Sequence, residues 1–388
     1  MTEATHLHDE LMRTLLRLMP KTVYQDPRRL STMGWAITGL CLKQTVHLSA
    51  WAEVTQSRAQ TVASRIQRFS RWLHHPAISP PDWYRPLVQE ALSDWPADQR
   101  LSIALDTTAL TPFVLIRACL VYRGRAIPLA WRAVRHKSTQ VSFEAYQPVL
   151  DQLGAILPPA MVITLLADRG FVHEHLIGYL RKLQWHFRLR LKGNTLVHLP
   201  GQPISAVREL CPPPGESRFF QEVSILGAAV GPVHLALTCL LDQPDDPWFV
   251  VSDELTDART PDEYGLRFDI EETFRDEKSG GFQLQHSRLT TPDALDRLLL
   301  CLAIATLYLT SLGTAVVQAE QWRWVDHHWG RGLSYLQLGA RWRRQQVQRG
   351  WQAFAPFRLD PAPDPLPALI PRRASLDRSH ELDLPTAA

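Results

Sequence analysis

At Leu101 the hydrophobic period of the chain changes, and that change restricts the fold more than any other feature. Up to about Gln99 apolar residues recur at helical spacing, with no convincing alternating run. From there Leu101, Ile103 and Leu105 alternate with smaller residues, and residues 113–122 and 125–131 form two more strand-like runs. Tyr122-Arg-Gly-Arg125 between them is expected to be a hairpin turn. A helical stretch follows at 143–157, then an apolar strand at 161–167, then a helix at 173–184. Three strands followed by strand–helix alternation give an α/β class with a mixed sheet.

From Trp185 to about Asp253 the strand-like segments WHFRLRLKG, RFFQEVSILG, GPVHLALTCLL and PWFVVSDE return, separated by breaks such as Cys211-Pro-Pro-Pro-Gly215. This reads as a β-rich insertion. Two helices are expected next, at 262–278 and 292–317. The expected order is therefore a helical region over 1–99, a sheet core begun at 100–184, an insertion at 185–254, a second core part at 255–319, a C-terminal helical arm at 320–360 and a disordered tail at 361–388.

Hydrophobic residues make up 45% of the 388 and charged residues 21%, an ordinary balance for a soluble protein. The longest apolar stretch, 298–317, is interrupted by threonines and a serine and reads as a buried helix, so no membrane partner is expected. The opening MTEATHLHDELMRTLL lacks a basic leader before an apolar run, and a cytoplasmic location follows as the expectation. Cys41, Cys119, Cys211, Cys239 and Cys301 lie far apart without a Cys-x-x-Cys pair, which points to reduced thiols and not to zinc or a disulfide framework. A net charge of +3 is too small to indicate a polyanionic partner, so the distribution of charge has to carry that argument.

Asp106 is expected to end one apolar strand and Asp168 another, where side chains open from a sheet edge. Such aspartates are also common as plain turn residues. The helix after the insertion sharpens the case. Tyr264, Arg267, Glu271 and Lys278 are spaced by 3, 4 and 7 residues, which places them within an arc of about 60° on an ideal α-helix. Ile270 and Phe274 would dock that helix, while Glu272 and Glu277 would point away from the polar stripe. An exposed helix with Arg267–Glu271 pairing would look the same in isolation. Two aspartates and a helical glutamate suit two Mg²⁺ or Mn²⁺ ions, which take oxygen ligands and keep positions open for phosphate and water. In such a pair, with ions about 3.5–4 Å apart, one activates the attacking oxygen and the other stabilises the leaving oxygen.

The combination of LSIALDTTAL, LLADRGF and Tyr-x2-Arg-x3-Glu-x6-Lys resembles the bacterial DDE transposases of the insertion-sequence-four type. The resemblance covers roughly residues 101–312. It implies an RNase H-like core, catalysis by divalent metal at Asp106, Asp168 and Glu271, and a homodimer on paired terminal inverted repeats that joins them to target double-stranded DNA. Tyr264, Arg267 and Lys278 would contact phosphates of the transferred strand. Trp248 falls where relatives carry a ring that stacks on a flipped base during hairpin formation, though a buried core tryptophan fits the same pattern. A transposase remnant that only binds DNA, and an RNase H-like nuclease that cuts without joining, remain as alternatives.

Three further stretches suit DNA. Between Glu53 and Asp82 no acid occurs, and Arg65, Arg68 and Arg71 lie on a helical pattern there, as a phosphate grip or an ordinary solvated face. Arg188, Arg190 and Lys192 fall on one side of a strand at period two, which the resemblance would aim at DNA. Past Glu320, Arg323, Arg331, Arg341, Arg343, Arg344 and Arg349 stand against the single acid Asp326, interleaved with Trp322, Trp324, Trp329, Trp342 and Trp351. That mixture suits DNA or a partner, or packing on the core.

Overall fold

A computed structural model describes residues 2–368. The chain forms two compact units: Met1–Leu166 with Leu266–Ala368, and between them in sequence Ala167–Gly265. This division differs from the six expected segments, because the N-terminal helices, the sheet and the C-terminal helices share one core.

The first unit opens with six helices, α1 (Glu3–Leu18), α2 (Lys21–Tyr24), α3 (Pro27–Lys43), α4 (Leu48–Val54), α5 (Val62–Leu73) and α6 (Pro80–Ala91). Their starts are set by local chemistry. Thr2 and Thr61 accept from the backbone N–H three residues on, and Asp26 caps α3 ahead of a proline suited to the first helical turn. Three strands follow, β1 (Arg100–Leu110), β2 (Phe113–Tyr122) and β3 (Arg125–Arg135). They form an antiparallel meander. The β2–β3 turn has φ of 50° at Arg123 and 83° at Gly124, the double positive φ of a turn that matches strand twist. Helix α7 (Phe143–Ile156) leads to β4 (Val162–Ala167), which lies beside β1 in the order β3-β2-β1-β4. That is the RNase H-like mixed-sheet arrangement expected from the sequence.

The second unit carries α8 (Glu174–Lys182), then β5 (His186–Arg190), β6 (Leu196–His198), β7 (Ser205–Ala206), β8 (Ser217–Ile225), β9 (Val230–Thr238) and β10 (Trp248–Ser252), then α9 (Thr260–Gly265). Its strands run in the order β5-β10-β9-β8-β6-β7. Phe187, Leu189, Val233, Leu235, Leu237 and Val251 share one face of this sheet and are buried, and Val250 is buried on the other.

Back in the first unit, α10 (Asp269–Arg275), α11 (Pro292–Gln318) and α12 (Tyr335–Arg349) complete the chain's helices among the described residues. Helix α11 has 27 residues and is apolar enough to cross a membrane, but 94% of its most apolar window is buried, so it is the core helix of this unit. Helices α3, α5, α6 and α12 and strand β3 pack on it. Helix α12 approaches closely because glycines meet: a Cβ at Gly313 would overlap the Tyr335 carbonyl oxygen, and one at Gly339 the Leu309 carbonyl oxygen. The segment expected as an arm is thus packed against the core. Part of the expected tail is likewise tied down. Asp364 accepts from Arg331 at 2.9 Å and from the Tyr335 hydroxyl at 2.5 Å, whereas 369–388 lie outside the described residues.

Candidate active site

Asp106 does not end its strand. It lies inside β1, opposite Arg117 of β2, because Thr107, Thr108 and Ala109 continue the extended ladder to Leu110. Its Oδ1 accepts from the Thr107 N–H at 2.7 Å. Its Oδ2 accepts from Arg267 at 3.2 Å, and the same guanidinium donates to Glu271 at 2.8 Å. Arg267 is nearly buried, with a side chain 5% exposed, while Asp106 and Glu271 remain open at 18% and 48%. Phe268 lies under the guanidinium, its ring centroid 4.5 Å from the Arg267 Cζ. A strand carboxylate and a helix carboxylate therefore converge on one cation.

The single helical stripe expected over 262–278 is replaced by turns of different kinds. Tyr264 is in α9, Arg267 in a 3₁₀ turn at Leu266–Phe268, Glu271 in α10 and Lys278 in a π turn at Asp276–Gly280. Each change alters the number of residues per turn, so the ideal 100° step no longer holds. Glu277, expected to face away, is instead 2% exposed and receives a 2.5 Å bond from Arg117, itself 1% exposed. Burial pushes the Glu277 carboxyl up, against the pull of Arg117. Lys278 donates to Thr108 at 2.6 Å, which links this turn to β1 two residues beyond Asp106. Burial lowers its ammonium below the usual lysine range, with Glu277 acting in the opposite sense. Ile270 and Phe274 are buried as expected.

In the second unit Asp168 follows β4 directly, as expected, and is half-buried. Its Oδ1 accepts from the Tyr264 hydroxyl at 3.4 Å. Tyr264 is fully buried, and Trp248 meets its ring edge-on at 5.4 Å between centroids. Trp248 is only 2% exposed. The ring expected to receive a flipped base is thus a core residue here, because β10 turns it inward onto α9.

The basic strand is corrected as well. Arg188 is paired with Glu254 at 2.9 Å and Glu263 at 2.8 Å, and Arg190 with Asp246 at 2.5 Å. Both guanidinium groups are buried, so acids distant in sequence neutralise what looks like a DNA-facing pair. Lys192 alone of the three is exposed. Among the N-terminal arginines, Arg65 donates to the Ala52 carbonyl at 2.8 Å and Arg68 to Thr32 at 2.9 Å, while Arg71 is exposed. Sequence reasoning missed Arg117 and Thr108 as supports of the site; their positions opposite and beside Asp106 become visible only once the β1–β2 register is fixed.

Asp106 and Glu271 offer oxygen donors alone and share a cationic partner, a donor set that a hard divalent ion fits. Residues 116–308 match the family model of the transposase DDE domain. That match spans Asp168, Tyr264, Arg267, Glu271 and Lys278, and Asp106 lies ten residues ahead of it. No curated protein matches the chain. Among solved structures, a piggyBac transposase synaptic complex with hairpin DNA, determined by cryo-EM, is similar at 11% identity and a TM-score of 0.43, covering 82% of this chain and 72% of its own.

Proposed function

We propose that this chain, a DDE transposase by the domain it carries over residues 116–308, uses Asp106, Asp168 and Glu271 as its catalytic and metal-binding carboxylates in cut-and-paste transposition. Its substrates are the double-stranded ends of a mobile element and a target duplex, and it acts as a homodimer in the cytoplasm. The insertion-sequence-four type is the subgroup that its Tyr-Arg-Glu-Lys pattern supports.

The observation that carries this reading is the guanidinium of Arg267 held between Asp106 and Glu271. Two carboxylates that would repel each other keep a cation between them, and they do so while partly open to solvent. Divalent metal, two Mg²⁺ with Mn²⁺ as a substitute, would supply Lewis-acid chemistry at the scissile phosphate when bound there. Arg267 offers a planar fork of donors that can pass from carboxylate to phosphate oxygens. Lys278 adds a point charge near β1, and Tyr264 orients Asp168 through its hydroxyl. The 3′-hydroxyl released by cleavage then serves as the nucleophile of the joining step.

Of the outlying basic residues, Arg71 and Lys192 are the ones open to contact DNA phosphates, with Arg65 and Arg68 shaping the helix that presents Arg71. Arg190 and Trp248 support the fold of their unit and so act on DNA only indirectly, which leaves a hairpin route without a base platform at Trp248.

A joining assay tests the reading. The protein is given Mg²⁺, a target plasmid and DNA bearing the sequence that flanks its reading frame, in one arm with intact ends and in the other pre-cleaved. Covalent joining of the 3′ ends is the expected result. Cleavage of intact ends with no joining would mark a nuclease, and binding with neither would mark a remnant.

A further inference from the structure

Two tryptophans stand among the exposed large hydrophobic residues, and they lie five positions apart. Trp329 is 93% exposed and Trp324 is 53% exposed. An indole held in water is unfavourable unless something covers it in use.

The loop that presents Trp329 is built to do so. The Asp326 carboxylate has no solvent exposure. It accepts from the N–H groups of His328 at 3.1 Å, Gly332 at 2.9 Å and Leu333 at 3.0 Å, and from the His328 ring at 2.5 Å. One buried acid thus closes the loop on both sides of Trp329. Arg331, also buried, donates to the Leu333 carbonyl at 2.8 Å and to Asp364 at 2.9 Å. Gly332 lets the His328 ring lie on the backbone, where any Cβ would overlap it. Trp324 is fixed differently: its ring stacks on Trp342 at 5.7 Å and 21°, and Trp342 lies 4.5 Å from Trp351. It is the outer ring of an aromatic ladder.

The charge along this stretch is mainly basic, with Glu320 just ahead of it and Asp364 paired to Arg331. Asp326 is the single acid from Gln321 to Gly350, and it is buried. Arg323, Arg344, Arg349, His327 and His328 are exposed in the same stretch. A second copy of the chain is a poor occupant, since a two-fold contact would press this basic surface against itself. A strand of nucleic acid is a good one, because bases stack on indole while phosphates meet the guanidinium groups. Bases in an intact duplex are hidden in their own stack, so the platform requires unpaired ones.

We propose that the Trp324–Trp329 segment is a single-strand platform that takes unpaired DNA bases on its indoles and their phosphates on Arg323 and its basic neighbours. This deepens the reading of the chain as a DNA-acting enzyme and rests on it. Trp248, by contrast, is sealed in the core of its own unit.

The test uses the full-length protein with a dT15 strand containing one 2-aminopurine, a duplex of equal length, and anionic vesicles. Wild type should bind the strand with quenching of the 2-aminopurine. Trp329→Ala should weaken strand binding by about 5-fold or more and relieve the quenching, with duplex affinity and cleavage of element ends retained. Trp329→Phe should restore much of the loss. Because Trp329 is almost wholly exposed, its removal leaves the core intact, and Trp324→Ala is read against it. Equal strand binding by wild type and Trp329→Ala, with end cleavage intact, would overturn the platform and leave the enzymatic reading standing. A shift from dimer to monomer, or loss of vesicle binding, with strand binding unchanged would overturn it in favour of a protein or lipid surface. Wild type that binds neither strand nor duplex would overturn both readings.

Discussion

Arg117 of β2 and Glu277 of the π turn are joined at 2.5 Å with both side chains almost completely buried. The pair fastens the turn that carries Lys278 to the strand opposite Asp106. Arg117 Nε and Glu277 Oε1 have no hydrogen-bond partner, so the pair is held at the cost of incomplete satisfaction.

Removing one member leaves a buried charge alone. Glu277→Ala is expected to destabilise the first unit by about 3–5 kcal/mol, while Arg117→Met with Glu277→Leu together should be near neutral. Urea unfolding of the three proteins checks this. A double variant as unstable as the single one would mean that the pair stabilises the unit in its own right.

Trp248→Ala is expected to cost about 3–5 kcal/mol of stability in the second unit, as for other large aromatic truncations in cores. Its effect on DNA should be general and should track the folded fraction. A well-folded variant that nicks normally but fails only at hairpin closure would restore the base-stacking role.

The N-terminal arginines should separate by their partners. Arg71→Ala is expected to reduce the slope of log affinity against log salt by about 0.9, the value for one lost phosphate contact. Arg68→Ala should instead lower the melting temperature, since Arg68 bonds Thr32 between helices α5 and α3. Equal slopes for wild type and Arg71→Ala would return this helix to a solvated face.

Asp296 in α11 gives a pH signature. Burial pushes its carboxyl up to about 7, against the bond that it accepts from the Ala133 N–H. The folded state holds this proton where the unfolded chain has already released it. Its contribution is therefore complete below the ordinary aspartate range and is lost as pH rises toward 7. Asp296→Asn, which keeps the acceptor oxygen, should gain stability relative to wild type as pH goes from 4.5 to 8. Parallel pH profiles for the two proteins would contradict this.

The meander was legible because period-two alternation and the Arg-Gly turn are local signals, and the turn takes the double positive φ that such a pair allows. Asp168 was legible for the same reason: an apolar run stops just before it. Asp106 was misplaced within its strand because two threonines after an acid look like a turn, yet extend readily as β-branched residues. The helical stripe failed where the backbone changes from α to 3₁₀ and π turns, a tertiary adjustment with no fixed sequence period. Arg188 and Arg190 looked available because their acids, Asp246, Glu254 and Glu263, lie 56 to 75 residues away. No window of sequence contains such a pair. The Asp326 clasp was hidden likewise, since the acid looks like a stray charge until its backbone partners are placed.

The central claim is that Glu271 serves the chemistry as a charged ligand, together with Asp106 and Asp168, and not as an ordinary helix acid. It is tested most directly by comparing Glu271→Gln with Glu272→Gln in Mg²⁺-dependent cleavage of element ends, at matched end binding. Glu271→Gln conserves shape and removes charge, so cleavage should fall by several orders of magnitude, as with Asp106→Asn and Asp168→Asn. Glu272→Gln, which loses only an exposed pair with Arg275, should stay within a few-fold of wild type. Near-normal cleavage by Glu271→Gln would contradict the account.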